Sequence, residues 1–258
     1  MTDRREIADT MTVALAREVA DGDLVGVGLG TPLALAAALV AKGSHAPGAH
    51  VLAGGALDAD ADLGTYMGGS RALVGHAPGW VSHFDSMDMA ERHRMTLQIL
   101  RPAQVDGAGN LNTSRIGGLE RPKVRFPGGL ATGDVPQILP RLAVYIPAHR
   151  ARNLPDQVGF VTGGGGGWGG SAFPSRGVVL AVTDLAVIRF EAPGPRLVSV
   201  HHWADIDRVV AETGFAMDTS DVSVTQPPTP AEADALAGLD PGALREREIP
   251  ATVGGGAS

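Results

Sequence analysis

LVGVGLGTPLALAAALVAKGSHAPGAHVLA, residues 24–53, is the stretch that decides the fold. It opens with a short apolar run at 24–28, and Gly30-Thr31-Pro32 then gives the order of a strand, a tight turn and a helix N-terminus. The helix is predicted to run to about Lys42, and residues 50–53 read as a second strand. Two short apolar strands joined by a helix form a βαβ unit with buried parallel strands. The segment therefore predicts an α/β fold.

The N-terminal flank of this segment has a helical pattern. Apolar residues at every fourth position predict a helix over residues 4–20, capped by Asp3 and ended before Gly22. The repeating residues are Ile7, Met11, Leu15 and Val19.

The C-terminal flank adds strands of two kinds. Residues 96–100, 142–146 and 158–162 are predicted to be core strands, whereas 54–85 lack a clear period and predict loops. Three later apolar runs separated by turn residues predict an antiparallel meander. They lie at 178–182, 186–190 and 196–200, and helices are predicted over 204–213 and from a capping box at Thr229-Pro230-Ala231-Glu232.

These patterns define the expected architecture. We expect an α/β fold with a mainly parallel sheet flanked by helices and a C-terminal antiparallel meander. One domain is predicted over residues 1–250, followed by a disordered tail at 251–258.

Composition narrows the functional classes. The 258 residues are 44% hydrophobic with a net charge of −7 and scattered basic residues, which disfavours nucleic acid or an anionic membrane as partner. The same charge pattern is compatible with a small anionic ligand. The chain lacks cysteine, which is typical of a cytoplasmic enzyme without thiolate chemistry. The longest apolar run, 33–41, is less than half of the roughly 20 residues of a membrane span, so no membrane segment is expected.

The glycine pattern at residues 26–30 is a weak match to a dinucleotide fingerprint. The third glycine comes two residues too early, and no acidic residue follows the second strand, so a nicotinamide cofactor is not expected. Two interpretations stay open. The glycines either form a structural turn only, or the helix N-terminus at Thr31-Pro32 offers N–H groups to an anion.

The phrase AQVDGAGNLNTS, residues 103–114, is the most informative motif. Asp106 and Asn110 bracket a glycine, which by itself suits a tight turn. The phrase also resembles the A-Q-V-D-x-x-G-N-x-N segment of class I CoA-transferases. Further segments are similar to β-type subunits of that family, in the same order along the chain. They are residues 27–32, 46–47, 122–126, 158–162, 182–184 and 212–215.

The resemblance implies a two-subunit enzyme that acts on an acyl-CoA thioester with an α-type partner. Coenzyme A would enter as part of the substrate, and no tightly bound cofactor or metal is implied. In the family, a β-subunit glutamate attacks the thioester. The corresponding position here is Gly54, so no catalytic residue is assigned to this chain.

Three explanations for Gly54 stay open. The carboxylate can lie in the α-type partner, as in relatives that hydrolytically open steroid-derived rings, whose C-termini resemble residues 239–249. It can be replaced by Asp58, Asp60 or Asp62. Alternatively, the chain is a catalytically inert scaffold.

The resemblance also suggests how CoA is bound. Residues 127–133 are similar to a glycine loop near CoA, although an ordinary turn explains them equally well. Residues 163–170 suit either a lid or a surface loop. The eight histidines lack the spacing of metal ligands, and we expect them at the surface or hydrogen-bonded in the core. The predicted substrate-binding residues are Gly28, Gly30, Thr31, Gly54, Gly55, Asn110, Gly128 and Gly129.

Overall fold

The computed structural model describes residues 2–28, 30–166 and 177–251. These residues group into two compact units, one made of the chain up to residue 100 with the part from 226 onward, the other of residues 101–225. The single domain over residues 1–250 stays a prediction. Nearly all of the predicted tail, 252–258, lies outside the described residues.

The secondary structure alternates helices and short strands. The helices are α1 (Arg4–Ala16), α2 (Pro32–Gly43), α3 (Leu63–Met67), α4 (His83–Glu91), α5 (Val135–Ile138), α6 (Ile206–Ala211), α7 (Pro230–Leu236) and α8 (Leu244–Glu248). The strands are β1 (Leu24–Val27), β2 (His50–Ala53), β3 (Ala56–Leu57), β4 (Gly79–Trp80), β5 (Leu97–Leu100), β6 (Gln104–Val105), β7 (Leu111–Asn112), β8 (Arg115–Gly117), β9 (Pro122–Arg125), β10 (Arg141–Ile146), β11 (Leu180–Thr183), β12 (Ala186–Glu191), β13 (Gly194–Val200) and β14 (Ser223–Val224). None of the helices described is long and apolar enough to cross a bilayer.

The first unit is built on the βαβ segment. Its strands follow the order β5-β1-β2-β3-β4, with β1 parallel to both β5 and β2 and the two outer strands antiparallel. Helix α2 is buried along most of its length because both its faces are apolar, and it packs against α1. This core fixes the ends of β1 and β2 side by side.

The C-terminal segment returns to this unit and is held by charged side chains. Arg17 donates to both carboxylate oxygens of Glu232, at 2.9 and 2.8 Å. Arg245 is buried between Asp9, at 2.6 Å, and Asp240, at 3.2 Å. Because each cation faces a carboxylate, these residues attach α7 and α8 to the first helix.

The second unit contains the predicted meander. Strand β10 is parallel to β11, which is followed by antiparallel β12 and β13, and β14 pairs in parallel with β13. Two small antiparallel pairs, β6 with β7 and β8 with β9, lie outside this sheet. The predicted fold class, with parallel strands, flanking helices and a C-terminal antiparallel meander, is confirmed.

Four local predictions were wrong. The first helix ends at Ala16 rather than near residue 20, because Glu18 and Val19 donate to carbonyls three residues back and tighten the turn. Residues 54–85 contain four short elements, and the helix predicted over 204–213 is only six residues long. Residues 158–162 do not form a strand, because side chains capture the N–H groups of Val158 and Gly159.

Replacing Glu232 by glutamine is expected to lower the free energy of unfolding by about 1–3 kcal/mol at pH 7. Burial alone would raise the pKa of Glu232, but hydrogen bonds from Arg17 and Thr229 lower it to about 2. A depressed pKa stabilises the folded state above the unfolded value, 4.5, and that contribution disappears as the pH falls through 2. Urea unfolding of wild type and Glu232→Gln between pH 7 and 2 should therefore converge at the acid end. Glu91→Gln, at an exposed site on α4, is the control, and equal stability of both variants at pH 7 would contradict the prediction.

Candidate functional site

Two predicted glycine turns meet at one edge of the first unit. Val27 and Ala53, the last residues of β1 and β2, are partners in the parallel register. The turn that contains Gly28, Gly30 and Thr31 and the turn at 54–55 therefore leave the sheet side by side. Ligands of open α/β sheets bind beyond the carboxyl ends of the parallel strands, so this edge is the candidate site of the first unit.

The first turn is held by short-range contacts. The Gly28 N–H donates to the carbonyl of Ile99 at 3.2 Å, and the Thr31 hydroxyl donates to the Gly28 carbonyl at 2.5 Å. A Cβ on Gly28 would lie 3.1 Å from a methyl group of Leu100. Gly30 has a φ of +66°, a conformation that glycine adopts without strain. The glycines thus have a structural role in the tight turn.

The N-terminus of α2 already holds an anion from the chain itself. Pro32 has no N–H, and the Leu33 N–H donates to the Glu248 carboxylate at 2.9 Å. The helix dipole favours a negative charge at this position, so Glu248 fixes α8 against α2. The Leu33 N–H is therefore occupied within the chain, and binding of an external anion by the turn before it stays a prediction. Sequence reasoning missed Glu248 because its partner lies more than 200 residues away.

The second turn contains Gly54, the residue that the family resemblance aligns with the nucleophile. Gly54 and Gly55 have φ values of +60° and +86° and form a two-residue hairpin turn between paired Ala53 and Ala56. The Ser70 hydroxyl donates to the Gly54 carbonyl at 2.6 Å. A Cβ on Gly54 would lie 3.6 Å from that hydroxyl oxygen, which leaves room for a side chain but only in a left-handed conformation. The turn contains no nucleophile.

Two of the three candidate aspartates are engaged in other contacts. Asp58 accepts from Lys42 at 2.8 Å and from His50 at 2.5 Å. Burial raises the pKa of Asp58, but these two hydrogen bonds together lower it by more than burial raises it, so the net shift is downward. Asp62 caps α3, and the hydrogen bond from the Thr65 N–H lowers its pKa. Asp60 is exposed, and its carboxylate has no hydrogen-bond partner among the described residues.

The most informative motif organises loops in the second unit. The buried Asp106 carboxylate accepts the N–H groups of Ala108, Asn110 and Val158 and the Asn110 side-chain amide, at 3.1–3.2 Å. The Asn110 side-chain oxygen, Oδ1, accepts from the Gly165 N–H at 2.7 Å. Both polar groups of the Asn110 side chain are therefore occupied within the chain. The motif joins the turn at 106–110 to residues 158–165.

The glycine loop at 127–133 begins at the end of β9. Gly128, with a φ of +97°, donates its N–H to the Thr113 carbonyl at 3.0 Å, and the Thr113 hydroxyl donates to the Gly128 carbonyl at 2.9 Å. The N–H groups of Gly129 and Leu130 donate to no acceptor in the described part of the chain. Neighbouring unpaired N–H groups in such a loop suit a phosphate or an oxyanion.

The described part of the second glycine run is closely packed. A Cβ on Gly165 would lie 2.0 Å from the Ala108 carbonyl oxygen, and the Gly166 N–H donates to that same carbonyl. Glycine is required here for close approach, and these contacts hold residues 165 and 166 against Ala108, unlike either a free lid or a loose surface loop. Residues 167–170 lie outside the described residues.

Two histidines are buried and hydrogen-bonded. His149 contacts the hydroxyls of Thr183 and Thr213 at 2.9 and 2.8 Å, and burial lowers its pKa to about 4. The Asp184 carboxylate accepts the backbone N–H of His149 at 2.5 Å, and burial raises the pKa of Asp184 to about 6. His201 is equally buried, with its pKa lowered to about 4 for the same reason. No group of three or more potential metal ligands occurs in the described residues.

The sequence of this chain also identifies its protein family. A protein-family model described as coenzyme A transferase matches residues 8–212. The chain belongs to this family.

The relatives are similar to this chain over most of their lengths. The B subunit of the 3-oxoadipate CoA-transferase of Pseudomonas knackmussii is 30% identical over 243 residues, 90% of this chain and 92% of that protein. The B subunit of the glutaconate CoA-transferase of Acidaminococcus fermentans is 26% identical over 242 residues, 86% of this chain and 88% of that protein. The solved structure of the decarboxylase AibA/AibB is 29% identical and covers 94% of this chain and 98% of that chain, with a TM-score of 0.83. These likenesses confirm the resemblance to a β-type subunit of a CoA-transferase-family heteromer.

Proposed function

We propose that this chain is the β-type subunit of an enzyme that acts on acyl-CoA thioesters with a catalytic carboxylate supplied by an α-type partner. The observation that carries the proposal is the turn at Gly54, where the family nucleophile is absent. The double-displacement reaction needs a carboxylate at this position to accept CoA. Without it, general-base chemistry such as hydrolysis or C–C bond cleavage is the better match to the site.

The two glycine regions would bind the substrate through backbone groups. In the first unit, the turns containing Gly28, Gly30, Thr31, Gly54 and Gly55 border the carboxyl edge of the sheet. In the second unit, the unpaired N–H groups of Gly129 and Leu130, after Gly128, suit the thioester oxygen or a phosphate. Asn110 acts through its hydrogen bond to Gly165 and holds the adjacent loop. No tightly bound cofactor is needed for these roles.

An exposed apolar segment supports the heteromer. The side chains of Val74, Trp80 and Phe84 are 69%, 49% and 82% exposed, although all three are large and apolar. Trp80 belongs to β4, the outermost strand of the first unit's sheet. Exposed apolar side chains beside an open strand edge are typical of a protein interface. We assign this segment to contact with the α-type partner.

A second candidate function is CoA transfer with Asp60 as the nucleophile. Asp60 is the one aspartate of the three whose carboxylate is without a partner among the described residues. The likeness to the decarboxylase AibA/AibB favours C–C cleavage instead, because a family member of similar fold carries that activity in its name. An inert scaffold is the alternative from another class, and it predicts that the complex retains activity when this chain's loops are altered.

Covalent labelling is expected to leave this chain unmodified. A glutamyl- or aspartyl-CoA thioester reacts with hydroxylamine, so the complex would be incubated with an acyl-CoA and that reagent. Peptide mass spectrometry then identifies any labelled carboxylate. Consumption of the acyl-CoA without a label on either subunit would support hydrolysis or C–C cleavage. A label on Asp60 would instead establish the transferase reaction, and Asp60→Asn should then abolish it.

Gly54→Glu gives a complementary measurement. The φ of +60° adds a cost of about 1–2 kcal/mol for any side chain, although the nearest atom leaves room for a Cβ. Gly54→Ala has the same backbone strain and is the matched control. Transferase activity in the assembled Gly54→Glu complex, but not in Gly54→Ala, would mean that only the nucleophile is missing.

A further inference from the structure

The hairpin of β8 and β9 concentrates positive charge in an acidic protein. Residues 115–125 contain four basic side chains and one acidic side chain, a formal charge of +3, whereas the whole chain carries −7. Most of the hairpin is exposed. Among the described residues, no carboxylate forms an ion pair with Arg121, Lys123 or Arg125. This charge is therefore not balanced within the described part of the chain.

The strand register places two of these cations face to face. Arg115 is the direct partner of Arg125 in the antiparallel pair, and Lys123 lies two residues before Arg125. Like charges directly opposite each other destabilise a two-stranded ladder. An anion bound between the two guanidinium groups would remove this repulsion.

Arg115 also has an unused donor. Its Nε is buried and has no hydrogen-bond partner, while one of its terminal nitrogens donates to the Gly117 carbonyl. The guanidinium carbon lies 4.7 Å from the centre of the Phe160 ring, which holds the side chain in place. The Phe160 ring and the Gly117 carbonyl thus hold the guanidinium group in one position, with its Nε–H unsatisfied.

The hairpin is continuous with the glycine loop. Beyond β8 and β9, the Phe126 N–H donates to the Ser114 carbonyl at 2.9 Å and the Gly128 N–H to that of Thr113 at 3.0 Å. These two hydrogen bonds connect the basic hairpin to the start of the glycine loop at Gly128. A ligand whose reactive end lies at the glycine loop can extend a polyanionic end along the hairpin.

We propose that Arg115 and Arg125, with Lys123, bind the phosphate groups of the 3′-phospho-ADP part of coenzyme A. Arginine binds phosphate through two parallel hydrogen bonds, and two facing arginines suit a diphosphate or a phosphomonoester. The inference rests on the proposed function, because it takes acyl-CoA as the substrate. It adds the residues that would distinguish CoA from a simple acyl-pantetheine.

The test compares charge-matched variants of the full chain. All the residues involved lie in one unit, so the chain alone should bind CoA and adenosine 3′,5′-bisphosphate in calorimetry. For Arg125→Gln, the Kd for both probes is expected to rise about tenfold or more, the effect of losing one charge-assisted hydrogen bond. Arg121→Gln removes the same charge outside the facing pair, and its Kd should change less than threefold. The melting temperature of Arg125→Gln should equal or exceed that of wild type, because one of two repelling charges is removed.

Each alternative outcome has a defined meaning. CoA binding that is unchanged in Arg125→Gln would overturn this inference and leave the proposed function intact. Equal losses in Arg121→Gln and Arg125→Gln would overturn it in favour of a general charge effect. Loss of assembly with the α-type partner, at unchanged CoA affinity, would assign the hairpin to an acidic protein surface instead. If the wild-type chain and its complex bind no CoA, the proposed function itself is wrong.

Discussion

Co-expression with the α-type partner is expected to raise acyl-CoA turnover at least about 100-fold over that of this chain alone. A positioned general acid or base contributes about 10²–10⁴-fold, and this chain has no carboxylate at Gly54 to provide it. Thioester consumption would be measured for the chain, the partner and the complex at equal concentrations. Full activity of the isolated chain would contradict the assignment of the carboxylate to the partner.

An interface variant separates assembly from chemistry. Phe84→Ser removes an 82% exposed apolar side chain from the segment assigned to the partner, and it should lower the yield of complex on size-exclusion chromatography. Val224→Ser is the matched control, since Val224 is also apolar and 57% exposed but lies at the edge of the other unit. Equal assembly of both variants would place the interface elsewhere.

The sequence predicted the elements whose patterns are local. Strand β2 was predicted with its exact bounds, and the capping box at Thr229 and Glu232 is present, because each depends on neighbouring residues. Residues 158–162 were misread because their apolar pattern matches a strand, whereas the side chains of Gln104 and Asp106 take two of their N–H groups. Local periodicity contains no information about such distant competitors.

The features of the candidate site also fall into those that the sequence predicts and those that depend on tertiary contacts. That Gly54 stands in place of the nucleophile is a prediction from the sequence and the family resemblance. The Glu248 carboxylate at α2 and the Ser70 hydroxyl on the Gly54 turn could not, because both are tertiary contacts. The facing arginines depend on a hairpin register that includes a bulge, which the sequence does not specify.

Asp106→Ala is expected to lower the free energy of unfolding by about 3–5 kcal/mol. The variant leaves the N–H groups of Ala108, Asn110 and Val158 without their acceptor, and each buried unsatisfied donor costs about 1–3 kcal/mol. The sum is reduced because the loop can relax and admit water. Asp106→Asn keeps one acceptor oxygen, so its free energy of unfolding should lie between those of Asp106→Ala and wild type. Asp60→Ala, at an exposed aspartate without such contacts, is the control and should change stability by less than about 0.5 kcal/mol.

Hydrogen exchange shows where the stability is lost. Asp106 and Asn110 together hold residues 158 and 165, so amides of 158–166 should exchange faster in Asp106→Ala than those of β10–β12. Asn110→Ala should increase exchange at Gly165 and leave Val158 protected, because the Gly165 N–H donates to the Asn110 side chain whereas the Val158 N–H donates to Asp106. Uniformly faster exchange across the second unit in Asp106→Ala would mean that the carboxylate supports the whole unit rather than these loops. A loss below about 1 kcal/mol would contradict the assignment of Asp106 as the residue that organises them.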